Sequence, residues 1–126
     1  MWYHGFAMTY DSSQFELWEA TLQRRRATNE AERRQILANL LAWLDTHGID
    51  FGVKEAWIFG SATRPNQFGA CSDVDLALVA DPNLQQFQIM SALSLALDRD
   101  IEVILLDDCP FASTIIREGI QWIQSR

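Results

Sequence analysis

Apolar residues recur along this chain with two different periods, and the switch between them predicts the fold. Phe15, Trp18 and Leu22 stand three and four apart, which predicts a helix over 14–26. Ile36, Leu37, Leu40, Leu41 and Leu44, widened by Trp43, form a second helical stripe. Thr28 or Asn29 can cap that helix, Glu30 and Glu32 suit its first turn, and Gly48 suits its end. Shorter β-rich runs follow at 53–59, 74–79 and 101–106. Between the second and third, Asp81-Pro82 predicts a helix start, with Phe87, Met90, Leu93 and Leu97 on its buried face. A last helix is predicted from Ala112 or Ser113 through Ile115, Ile116, Ile120 and Ile123. The order helix, helix, strand, strand, helix, strand, helix predicts an α/β (α+β) fold, a small mixed β-sheet with helices packed against it. One domain is expected over 1–126, an N-terminal arm and helix at 1–26 followed by a core at 27–126. Residues 1–13 show no period, and their aromatic residues suit an irregular arm that packs on the domain or on a partner.

Composition narrows the function. A formal net charge of −7 argues against a surface that tracks DNA or RNA, although it leaves room for a nucleotide held through metal ions and backbone N–H groups. Two cysteines, Cys71 and Cys109, do not make a disulfide framework. His4 and His47 have no partners at zinc-ligand spacing. The N-terminus lacks the features of a signal peptide, and no run approaches a membrane span. A soluble cytoplasmic protein is expected. Arg24-Arg25-Arg26 reads as a solvated helix end, with a phosphate or an acidic partner as the sharper alternative.

The chemistry concentrates in Trp57–Leu78. An apolar run ends at Gly60-Ser61, where a residue without Cβ lets the backbone turn sharply and bring its N–H groups toward an anion. This is not a Walker A loop. The next run opens Asp73-Val74-Asp75, and residues two apart on a strand share a face. Two carboxylates placed so repel one another unless a hard divalent cation, Mg²⁺ first, lies between them. The same pair alone is also what a solvated strand start looks like.

Gly60-Ser61, Arg64, Ser72-Asp73-Val74-Asp75-Leu76 and a later strand bearing an acid resemble the nucleotidyltransferase superfamily that includes DNA polymerase β. They most resemble its minimal nucleotidyltransferases, often paired with HEPN-domain toxins. The resemblance covers roughly 53–125. It implies that Asp73 and Asp75 hold two Mg²⁺ ions, with Glu102 as the third acid completing one metal site and helping to deprotonate an acceptor hydroxyl. It implies further that Gly60, Ser61, Ser72 and Arg64 bind the nucleoside triphosphate, ATP in the simplest case. The loop Ala62–Ser72 is one residue longer than usual in that family, Pro65 stands where Gly is common, and Glu102 replaces the commoner Asp.

By this resemblance the chain moves AMP, or another nucleoside monophosphate, onto an acceptor hydroxyl. A tyrosine of a partner HEPN ribonuclease toxin is the expected acceptor, the chain acting as antitoxin. The alternatives are an antitoxin that neutralises by binding alone and a small-molecule nucleotidyltransferase, which usually needs a further substrate domain. Five tryptophans in so short a chain also suit a protein interface.

Overall fold

The structure, a computed structural model, describes residues 12–69 and 71–125. The expected aromatic arm falls largely on residues 1–11, outside the described residues. Among the described residues four strands form one sheet: β1 (Glu55–Phe59), β2 (Val74–Leu78), β3 (Ile101–Leu105) and β4 (Ile120–Ile123). Their spatial order is β3-β2-β1-β4. β1 runs antiparallel to both β2 and β4, while β2 and β3 are parallel, so the sheet is mixed as expected. Among the described residues the α-helices are α1 (Ser12–His47), α2 (Gln86–Leu97) and α3 (Ala112–Glu118).

Period-two alternation assigns each strand residue to one face. Ala56, Ile58, Leu76, Leu78 and Val103 belong to the main core, where Leu40 and Leu44 of α1 and Ile89 and Leu93 of α2 cover the sheet. Trp57, Ala77 and Leu106 belong to a smaller cluster on the opposite face, closed by Ile115 of α3. That second face is covered over only part of its length, and Asp75 and Glu102 lie on it.

Three expectations about elements are corrected. The break expected near Asn29 is absent, and α1 runs unbroken for 36 residues across the proposed 26/27 division. No Gly or Pro interrupts 12–47, and capping residues permit a helix start without enforcing one. Glu30 instead accepts hydrogen bonds from Arg33 and Arg34 one turn on, which continues the helix. At Asp81-Pro82 the chain forms a turn rather than a helix start. Asn83 N donates to Asp81 Oδ1 (3.0 Å) and Leu84 N to Asp81 O (3.0 Å), so the aspartate spends its capping capacity before α2 begins. The last predicted helix stops at Glu118, and Ile120–Ile123 become the edge strand β4. Gly119 makes the change: a Cβ there would come within 2.6 Å of Ile115 O and 2.8 Å of Ile58 O. Trp122 on β4 is buried, and its indole Nε1 donates to Asp45 Oδ1 on α1 (2.7 Å).

The tryptophans divide between core and surface. Trp57 and Trp122 are buried, Trp43 stacks on Phe51 with 5.4 Å between ring centroids, and Trp18 is exposed beside Phe15. Arg24, Arg25 and Arg26 are exposed, but they lie within α1 rather than at the helix end expected for them. Both cysteines are free thiols. Among the described residues no helix is long and apolar enough to cross a membrane.

Candidate active site

β1 ends at Phe59, and Gly60–Thr63 then form a single 3-10 turn. Gly60 has φ +77°, in the left-handed region that favours glycine. Thr63 Oγ1 donates to Gly60 O (2.7 Å) and Arg64 N to Ser61 O (3.1 Å), which closes the turn. Because β1 and β2 are antiparallel with Phe59 opposite Asp75, the turn lies beside the carboxylates at the start of β2. The space that a Cβ on Gly60 would need is taken by Asp75, whose Oδ2 would lie 2.3 Å away. The glycine of the Gly-Ser pair thus makes room for the acid.

β3 supplies the next carboxylate. In the parallel pairing of β2 with β3, Asp75 stands opposite Glu102, and the two side chains share a face. Asp100, the acid two residues earlier, precedes β3, and its carbonyl accepts from Val74 N (3.0 Å). The Asp75 carboxyl is pushed up from an ordinary value of 3.8 to about 6. Burial is the largest cause, followed by the negative charges of Glu102 and Asp73, and then by a carboxyl–carboxyl hydrogen bond with Glu102 that requires a shared proton. Asp75 and Glu102 are brought together. Asp73 is felt electrostatically from an exposed position, and among the described residues no three such side chains close into a metal cage.

The donor set nonetheless fits a hard cation. Every candidate ligand is a carboxylate oxygen, and burial together with the neighbouring negative charges already drives Asp75 toward protonation. Mg²⁺ commonly takes only one or two carboxylates from the protein and completes its shell with water and substrate phosphate. Asp75 and Glu102, with Asp73 beside them, are the residues that would hold it.

Two arginines that the sequence reading passed over hold the loop in place. Arg33 lies on the inward stripe of α1 and is buried; its Nη1 donates to Ala62 O in the Gly60–Thr63 turn (3.1 Å). Glu30 pairs with Arg33 (2.6 Å) and also accepts from Asn66 N (3.3 Å), so α1 grips the loop at two points. The Arg33 guanidinium beside Glu30 is the chief reason that its carboxyl falls to about 2. Arg99, at the entry to β3, donates from Nη1 to Gly69 O (3.0 Å) and Ser72 O (2.8 Å), pairs with Glu32, and lies over the Phe68 ring at 4.5 Å. A cation on the buried face of an amphipathic helix is a readable signal, and Arg33 at 33 in the 36, 40, 44 stripe carries it.

The nucleotide-binding candidates divide. Gly60 and Ser61 form the turn beside Asp75. Arg64 follows it, exposed, its guanidinium free of ion pairs with described residues. Ser72 works inside the loop instead: its Oγ accepts from Gly69 N (2.9 Å) and its N–H donates to Gly69 O (3.1 Å), which aims the chain into Asp73.

Comparison with known proteins bears on the fold and the family. No curated protein gives a significant match. Among solved structures, a chain of a crystallised mutant of the toxin–antitoxin MntA-HpeT has the same fold, with a TM-score of 0.51 and 22% identity over 71% of this chain and 73% of that one. Residues 46–125, which span all four strands and both carboxylate positions, match the family described as Polymerase beta, Nucleotidyltransferase. With that match over most of its length, the chain belongs to the polymerase beta nucleotidyltransferase family.

Proposed function

We propose that this chain transfers a nucleoside monophosphate, AMP from ATP in the simplest case, to a hydroxyl of a partner protein, and that it serves as the antitoxin of a toxin–antitoxin pair. The observation that carries the reading is the Asp75–Glu102 register pair beside the Gly60 turn, with Asp73 immediately before β2 and near enough for its charge to raise the Asp75 carboxyl. The N–H groups of the Gly60–Thr63 turn and the free Arg64 guanidinium suit the β- and γ-phosphates, whereas Ser72 acts by holding the loop that delivers Asp73. Two Mg²⁺ ions bound at the carboxylates would neutralise the phosphates and align them for in-line displacement. Glu102 takes the proton of the incoming hydroxyl. The partner expected from the family resemblance is a HEPN ribonuclease toxin, with one of its tyrosines as acceptor. Similarity of fold to a toxin–antitoxin protein supports this pairing, and the exposed Phe15 and Trp18 suit a partner surface.

The experiment is co-expression with the product of the adjacent reading frame, followed by mass analysis of that product. Addition of one AMP in the presence of Mg²⁺ and ATP, lost in Asp75→Asn, supports the reading. A neutralised toxin of unchanged mass, with Asp75→Asn as protective as the natural chain, would leave binding alone as the mode of action.

A further inference from the structure

The stripe that seats α1 on the core does not stop where the core does. Arg33, Ile36, Leu40 and Leu44 are the buried residues of this helix, and none of residues 12–32 is buried. Phe15, Trp18 and Leu22 stand eighteen positions before Arg33, Ile36 and Leu40, which is five whole turns, so they lie on the same line. Phe15 and Trp18 are 51% and 59% exposed, and their rings lie together with 6.0 Å between centroids. Glu30, Glu32 and Arg33 tie α1 to the loop and to Arg99. The turns before them extend about 27 Å further. A helical segment of that length gains most of its stability from packing an amphipathic face. Its charges are segregated: Glu16 and Glu19 precede Leu22, and Arg24, Arg25 and Arg26 follow it, all five exposed.

We propose that this segment pairs antiparallel with the same segment of a second copy of the chain, about a two-fold axis at Leu22. Such an interface is self-complementary, so each contact occurs twice. With Leu22 on the axis, Glu19 stands opposite the partner's Arg25. Trp18 then stands opposite the partner's Arg26, where a guanidinium can lie over the indole. A parallel pair would set Arg24, Arg25 and Arg26 against their own copies, and Glu16 and Glu19 against theirs. Charge therefore selects the antiparallel arrangement. Residues 12–29 carry two acids and three arginines, so the pairing surface escapes the repulsion between two chains of net charge −7. The inference does not rest on the transfer reading. It describes the chain without its toxin, which competes for the same two aromatic residues where it docks on them.

The test is sedimentation equilibrium of the full chain by itself, whose apparent mass is expected to rise from 14.4 kDa toward twice that value with concentration. Glu16→Arg with Glu19→Arg, and Arg25→Glu with Arg26→Glu, are each expected to weaken the pairing at least ~10-fold. An equimolar mixture of these two double variants is expected to regain it. All four residues are exposed, so the fold is not at stake, and an unaltered circular dichroism spectrum checks that. Direction is read by Leu22→Cys and Phe15→Cys, each in a background of Cys71→Ser and Cys109→Ser. On oxidation Leu22→Cys is expected to cross-link two copies and Phe15→Cys is not, because its two copies stand about 21 Å apart along the paired helices. Monomer mass at every concentration overturns the proposal, whether residues 1–11 or the toxin alone cover the stripe. A dimer indifferent to both charge reversals overturns it too, since it forms elsewhere, and cross-linking of both cysteine variants overturns the antiparallel arrangement.

Discussion

Gly60 and Asp75 compete for one space: a Cβ on the glycine would stand 2.3 Å from Asp75 Oδ2, closer than any such contact can be. The Gly-Ser turn and the Asp75 carboxylate are therefore one device, built by the antiparallel pairing of β1 with β2. Gly60→Ala meets both this clash and a backbone at φ +77°. It is expected to cost about 1–2 kcal/mol from the left-handed backbone alone and to lower nucleotidyl transfer at least ~10²-fold by displacing a positioned group. Gly69→Ala, where the nearest atom to a Cβ is 3.8 Å away, is the control. Denaturant melts and single-turnover assays on both variants check the pair.

Asp75 makes stability depend on pH in an unusual direction for a carboxylate. Its folded value, pushed up to about 6, lies above the unfolded one, so the folded state holds the proton more tightly. The resulting stability is fully present below the unfolded value near 3.8 and is lost as pH rises through 6. Without Mg²⁺, Asp75→Asn is expected to melt higher than the natural chain at pH 8 and to abolish transfer. Added Mg²⁺ should raise the melting temperature of the natural chain and not that of the variant. A variant that melts lower at pH 8 without metal would contradict the repulsion described here.

Glu102 stands opposite Asp75 while Asp100 lies before the strand. Glu102→Gln is expected to slow transfer at least ~10²-fold, the scale of a lost general base, with ATP binding weakened less. Glu102→Asp retains activity, and Asp100→Asn stays near the natural rate. Paired calorimetry of Mg²⁺-ATP binding and rate measurements separate these outcomes.

Arg33 acts at a distance from the chemistry by fixing the Gly60–Thr63 turn through Ala62 O. Arg33→Met keeps an unbranched apolar stem but removes the guanidinium, which leaves that carbonyl without its donor at a cost of about 1–3 kcal/mol. The exposed Arg34, which pairs with the same Glu30, is worth at most ~0.5 kcal/mol. Chemical melts of Arg33→Met and Arg34→Met, with KM for ATP measured on each, test whether the turn rather than the ion pair carries the effect; KM is expected to rise only in the first.

Much of the site was legible because its signals are local. Three β-rich runs and the Gly-Ser break need only local period and punctuation, whereas Asp73, expected on one strand face with Asp75, lies just before β2. Glu102 as the third acid came from the family resemblance, because alternation alone puts Asp100, two residues earlier, on the same face. Where local signals were ambiguous, the reading failed in consistent ways. Thr28-Asn29-Glu30 can start a helix or sit within one, and Asp81-Pro82 can start a helix or a turn. Ile115, Ile116 and Ile120 suit a helix so well that the alternation of Ile120 and Trp122 in β4 was absorbed into it.

By itself, then, the sequence determined where the strands and their carboxylates lie, because side-chain direction follows from backbone period and needs no partner. Only the tertiary structure decided which segments those strands meet. β4 exists because β1 has an edge for Ile120–Ile123 to pair with, and Gly119 has no Cβ to obstruct the turn. Asp75 faces Glu102 because β2 and β3 run parallel in one register. Arg33 and Arg99 reach the loop from 29 and 27 residues away, bonding Ala62 and Ser72. Contacts over such separations depend on how whole elements pack, and no short stretch of sequence contains that information.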